Sequence, residues 1–132
     1  MTRLAAILAC LGLAGCNAAP AKESQAVELG ADVTLVPGAT ASLKTGQMSV
    51  RFVAVTEDSR CPRDTTCVWA GEVKVQLEIQ VSQIASQVEI LEGGGTVAGA
   101  YRITLVRVDP PRANAARIAL QEYRATLKID KG

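Results

Sequence analysis

The stretch Val73-Lys74-Val75-Gln76-Leu77-Glu78-Ile79-Gln80-Val81-Ser82 decides the fold class. Apolar and polar residues alternate strictly along it, the period of a strand with one face buried and one in water. Such a strand belongs to an antiparallel sheet. Upstream, Gln47 to Thr56 is a second strand, with Met48, Val50, Phe52 and Ala54 on one face and Val53 and Val55 also apolar. Further upstream, Val33 and Leu35, then Ala39 to Leu43, predict two short strands around the turn pair Pro37-Gly38.

Downstream, Ser82 to Leu91 carries two patterns. Val81, Ile84, Ala85, Val88 and Leu91 fit helical spacing, whereas a turn followed by a strand over Gln87 to Glu92 closes a hairpin; the hairpin is the reading adopted. Gly93-Gly94-Gly95 and Gly99 predict a loop from Glu92 to Ala100. Tyr101, Ile103 and Leu105 open another strand, whose apolar phase then shifts to Val106 and Val108. A bulge at Leu105-Val106 explains the shift, and Asp109-Pro110-Pro111 stops the strand. Arg112 to Gln121 reads as irregular or one helical turn, and Tyr123, Ala125, Leu127 and Ile129 as a last half-buried strand. About seven short strands with turns between them predict an all-β domain over 32–132, a compact antiparallel β-sandwich of immunoglobulin-like size.

A chain of 132 residues is one domain at most. Its 14 basic and 13 acidic residues predict no long-range attraction to nucleic acid. Histidine is absent, which removes Ser-His and Cys-His catalysis and the commonest zinc ligand. No Ser-x-x-Lys motif occurs and no carboxylate pair is placed by spacing, so the expectation is no catalysis and no cofactor.

Residues 1–15 read as a signal peptide, with Arg3 ahead of the apolar run Leu4 to Ala14. The run ends in Leu13-Ala14-Gly15-Cys16, which resembles the bacterial lipobox. That resemblance implies cleavage before Cys16, a lipid on Cys16 and membrane attachment facing the periplasm. Asn17, rather than aspartate, follows the cysteine, which favours the outer membrane. Cys10 leaves with the signal and Cys16 carries lipid, so Cys61 and Cys67 remain and pair in an oxidising compartment. Residues 16–31 are small and polar and read as a lipidated flexible tether, with a short helix over Ser24 to Leu29 as the rival.

The richest loop is Asp58-Ser-Arg-Cys-Pro-Arg-Asp-Thr-Thr-Cys-Val-Trp-Ala-Gly-Glu72. Its structural reading is a stapled connection: Pro62 stiffens it, Asp58 and Asp64 fix turns, Trp69 plugs one end of the core and Gly71 permits a backbone turn. Its functional reading is recognition through Arg60, Arg63, Asp64 and Trp69, residue types that include the arginine and tryptophan favoured in binding hot spots. A calcium reading rests on Glu57, Asp58, Asp64 and Glu72, without EF-hand spacing. The Cys-x5-Cys spacing does not suit a thioredoxin-like redox motif.

The motif Asp58-Ser-Arg-Cys-Pro, four residues, then Cys67-Val-Trp-Ala-Gly-Glu resembles one found in small bacterial envelope proteins, many with lipoprotein signals. The likeness extends over about residues 48–129 through Val50-Arg51-Phe52-Val53-Ala54-Val55 and Tyr101-Arg102-Ile103-Thr104-Leu105. It implies the fold and the compartment and brings no activity. The expectation is a lipid-anchored periplasmic module that binds an envelope protein or serves as a structural factor, with a calcium or small-ligand carrier and an enzyme inhibitor as alternatives.

Overall fold

The computed structural model describes residues 23–132; the segment read as a signal peptide and Cys16 lie outside them. Among the described residues nine strands form two sheets: β1 (Ser24–Val27), β2 (Asp32–Leu35), β3 (Thr40–Leu43), β4 (Met48–Asp58), β5 (Val73–Val81), β6 (Ile84–Leu91), β7 (Gly95–Ala98), β8 (Tyr101–Asp109) and β9 (Arg124–Lys131). One sheet has the order β1-β3-β4-β5-β6 and the other β2-β9-β8-β7. The predicted β-sandwich is therefore the observed class.

The inner faces supply the core. Phe52 of β4 and Leu77 and Ile79 of β5 are buried with Leu35, Ile103, Leu105, Leu127 and Ile129 of the other sheet. The alternation in β5 places Val73, Val75, Leu77 and Ile79 inward, and the last strand does the same with Ala125, Leu127 and Ile129. Thr126 is also buried; its hydroxyl hydrogen-bonds that of Thr34 at 3.0 Å across β2 and β9, satisfying both.

Four expectations change. Residues 24–27, assigned to the tether, form β1, which pairs in parallel with β3. The domain thus begins before Asp32, and its sandwich contains one parallel ladder. The segment from Glu92 to Ala100 contains a strand, β7, paired with β8 through Gly95↔Thr104 to Ala98↔Tyr101. β6 starts at Ile84, three residues earlier than expected, because Ser82 adopts φ 56° and turns the chain tightly into the Val81↔Ile84 pair. The uniform face expected for β4 is broken by register shifts between Phe52 and Ala54 and between Val55 and Glu57. The shift expected in β8 is present between Leu105 and Arg107, which leaves Val106 out of the ladder.

Candidate functional site

β4 and β5 continue past their last ladder pair, Asp58↔Val73, into a narrow stem. The Ser59 amide donates to Glu72 O at 2.8 Å, the Glu72 amide to Ser59 Oγ at 3.0 Å and the Cys61 amide to Ala70 O at 3.0 Å. Gly71 has φ 69°, and a Cβ built there would lie 1.8 Å from Ser59 O. Glycine is required both for the left-handed backbone and for that close approach. Above the stem, Cys61 and Cys67 form a disulfide with Cα atoms 5.9 Å apart. The Thr65 amide donates to Pro62 O at 3.2 Å, and Asp64 Oδ1 accepts the Thr65 hydroxyl at 2.9 Å.

The base of the hairpin is fastened to the opposite sheet by Arg60. Asp58 and Arg60 stand two positions apart on an extended chain, so their side chains project to the same side. Arg60 Nε and Nη2 each donate to the Asp58 carboxylate at 2.8 Å in a bidentate fork. Arg60 Nη1 also donates to Val108 O, and Nη2 to Pro110 O, both at 3.0 Å. The Tyr123 hydroxyl donates to Asp58 Oδ2 at 2.7 Å. Arg112 adds a bond from Nη1 to Arg60 O at 3.2 Å, and its own carbonyl accepts the Arg63 amide at 3.0 Å.

The charges at this junction neutralise one another. Burial alone would push the Asp58 carboxyl up, but the Arg60 and Tyr123 hydrogen bonds and the Arg60 charge outweigh it and hold Asp58 below its ordinary range. The hydrogen bond to Asp58 raises Arg60 against its own desolvation. Burial, then the hydrogen bond to Asp58 and the Asp58 charge, push Tyr123 up to about 12. Only 10% of the Asp58 side chain and 14% of the Arg60 side chain remain exposed. Asp58 and Arg60 thus work as structural groups, and the recognition reading of Arg60 gives way to this placement.

The tip is the opposite case. Trp69, expected to plug the core, is 82% exposed, and Val68 beside it is 92% exposed. Arg63 and Asp64 are also exposed. Among the described residues the Arg63 guanidinium has no carboxylate partner. The four residues proposed for recognition therefore divide: Arg63 and Asp64 are exposed within the disulfide ring and Trp69 is exposed just beyond Cys67, whereas Arg60 points back into the base.

Two hollows flank the base, one of about 420 Å³ beside Thr56, Arg117 and Tyr123 and one of about 400 Å³ beside Arg63, Glu92 and Arg112. The acidic residues of the calcium reading are dispersed among cations. Asp58 is taken by Arg60, while Glu57 and Glu72 lie 3.0 and 3.5 Å from Lys74 Nζ. Among the described residues no group of three or more carboxylate or cysteine side chains is arranged to hold a metal.

Sequence reading missed Tyr123, Arg112 and the carbonyls of Val108 and Pro110 as partners of the loop. The available signal was the Asp58-x-Arg60 spacing, which puts the two charges on the same side of an extended chain. The fold and site define a small β-sandwich domain that carries one disulfide-stapled hairpin. No family model, curated protein or solved structure matches the chain.

Proposed function

We propose that the chain is a lipid-anchored envelope protein, attached through Cys16 and facing the periplasm at the outer membrane, which works as a protein-binding or structural module. Its contact surface is the tip of the stapled hairpin, with Trp69 and Val68 as apolar anchors and Arg63 and Asp64 as polar flanks. One observation carries this reading. A tryptophan 82% exposed sits on the short segment between Cys67 of the disulfide and Ala70, whose carbonyl accepts the Cys61 amide, and the Asp58–Arg60 fork holds the base of the same hairpin. An exposed apolar side chain gains nothing for the fold, whereas a backbone already held in shape loses less entropy on docking.

In vivo crosslinking followed by affinity capture tests this, comparing wild type with Arg63→Ala/Trp69→Ala. Arg60 is left in place because its loss loosens the base and confuses folding with binding. Loss of a captured partner supports the reading, and an unchanged set of partners overturns the role of the tip. Anchoring is tested separately by Cys16→Ser, which should move the protein from the membrane fraction to the soluble periplasm.

A further inference from the structure

The sheet edges differ in a way that the stapled hairpin does not explain. β1, β2 and β7 are edge strands of four residues each, whereas β6 is an edge strand of eight. Short edges protect themselves; a long one needs lysine, proline or a bulge to discourage pairing. β6, Ile-Ala-Ser-Gln-Val-Glu-Ile-Leu, has no proline or lysine, and its ladder with β5 runs without a register shift.

The register fixes which backbone groups are free. The Glu92 amide donates to Val73 O, so the Val73–Glu92 pair is hydrogen-bonded across β5 and β6. Hydrogen-bonded pairs alternate along an antiparallel ladder. Ile84, Ser86, Val88 and Ile90 therefore bond inward to β5, and Ala85, Gln87 and Glu89 direct their N–H and C=O groups to the open side. A new antiparallel strand must place its own outward-bonding residues opposite these three.

We propose that this edge pairs with β6 of a second copy, antiparallel, about a two-fold axis through Gln87. Only odd-numbered residues can face odd-numbered ones, which leaves a few registers. Centring on Glu89 sets two carboxylates opposite each other. Centring on Gln87 sets Glu89 opposite Ala85 of the second copy, and Gln87 opposite Gln87. That register pairs seven residues of each β6, an overlap matched by centring on Val88, and it repels no charge, since Glu89 is the single charge on the strand; centring on Val88 would instead leave the exposed Ile84 without an apolar partner. On the inner face it brings Ile84, 76% exposed in one copy, beside Ile90 of the other, which is buried. The exposed isoleucine thereby gains a neighbour at the rim of an apolar cleft of about 320 Å³ between β6 and β7. Gln87 Oε1 already accepts Gln76 Nε2 at 2.6 Å, which leaves its own amide hydrogens free for the facing glutamine. The interface is isologous and joins two five-stranded sheets into one of ten.

The test is crosslinking of the full chain in cells with a short bis-maleimide, with wild type setting the background from its other cysteines. Gln87→Cys should give a dimer-sized adduct. Gln80→Cys, on β5 and separated from its copy by three strand spacings, about 14 Å laterally, should not. Ala85→Cys/Glu89→Cys should also crosslink between copies, because those positions face each other. Adding Gln87→Pro to that pair removes one outward donor while leaving the ladder to β5 intact, and should cut the adduct at least tenfold with the strand content unchanged. Folded Gln87→Cys that stays monomeric overturns the proposal. So does an adduct of a mass that identifies a different polypeptide, or a dimer indifferent to Gln87→Pro.

Discussion

Removing Arg60 should do more damage than removing any other charged side chain of the hairpin. Arg60→Ala deletes two bonds to Asp58 at 2.8 Å and two to the carbonyls of Val108 and Pro110 at 3.0 Å. It leaves a carboxylate that is only 10% exposed, with the Tyr123 hydroxyl as its main remaining donor. Breaking a buried pair from one side costs about 3–5 kcal/mol. The surviving Tyr123 bond and partial water access place this case near the low end, about 3 kcal/mol. In urea unfolding with the disulfide intact, an m-value of about 1.5–2 kcal/mol/M converts that loss to a midpoint lowered by roughly 1.5–2 M. The pH dependence gives a second readout. Asp58 is held below its ordinary value of 3.8, so its contribution is complete above that value and is lost as the pH falls through the lowered one. Wild type should therefore lose in acid the part of its advantage over Arg60→Ala that comes from Asp58 and keep the part that comes from the Val108 and Pro110 carbonyls. A midpoint drop at pH 7 below about 0.3 M, far under what this mechanism requires, would refute the reasoning. A gap that persists unchanged well below pH 3.8 would do the same.

Other substitutions separate the parts of the hairpin. Tyr123→Phe should cost about 1.5–2 kcal/mol at neutral pH, the worth of a hydrogen bond to a charged acceptor. It should also remove a phenol that titrates at about 12; because that value is raised above the ordinary 10, its stabilisation is full below pH 10 and lost as the pH climbs through about 12. Near-ultraviolet absorbance against pH follows that step. Gly71→Ala forces a Cβ onto Ser59 O and a side chain into positive φ, so calorimetry should register a loss of about 3 kcal/mol or failure to fold. Cys61→Ser/Cys67→Ser opens a ring of about seven residues and should cost about 2 kcal/mol in urea unfolding. Trp69→Ala should leave stability within about 0.5 kcal/mol while weakening partner capture, because an exposed side chain contributes little to folding.

The legible parts of this fold were those where local pattern and tertiary burial agree. β5 and the last strand alternate, and the sandwich buries the alternate residues. The bulge in β8 was visible as a phase jump between Leu105 and Val106. β1 and β7 were not legible for a common reason. Ser-Gln-Ala-Val and Gly-Thr-Val-Ala are four-residue edge strands, too short to show a period and too polar or glycine-rich to suggest one. Each exists because a neighbouring strand offers a free ladder, which is tertiary information. Arg60 and Trp69 exchanged their expected places for a related reason. Burial preference favours tryptophan inside and arginine outside, but here the Asp58 carboxylate and two main-chain carbonyls accept from the Arg60 guanidinium, and the Tyr123 hydroxyl donates to the same carboxylate. Nothing in the sequence near Arg60 announces the carbonyls of Val108 and Pro110.

That exchange bears on how a small domain can hold an exposed apolar tip in one shape. A hairpin leaving a sheet loses its packing within a few residues and keeps its conformation only through its own bonds. In this chain the core ends at Val73, and everything beyond is held by polar and covalent links. Arg60 ties the base of the excursion to β8, Asp58 ties it to Tyr123, Gly71 lets the two stem backbones approach, and the disulfide closes the remaining loop. None of these uses Arg63, Asp64, Val68 or Trp69. The tip can therefore change its side chains at little cost to folding, while the base cannot. A surface free to vary on a fixed stem is what selection for binding requires. Substitutions at the tip should alter partner capture without altering stability, and substitutions at the base should alter both together.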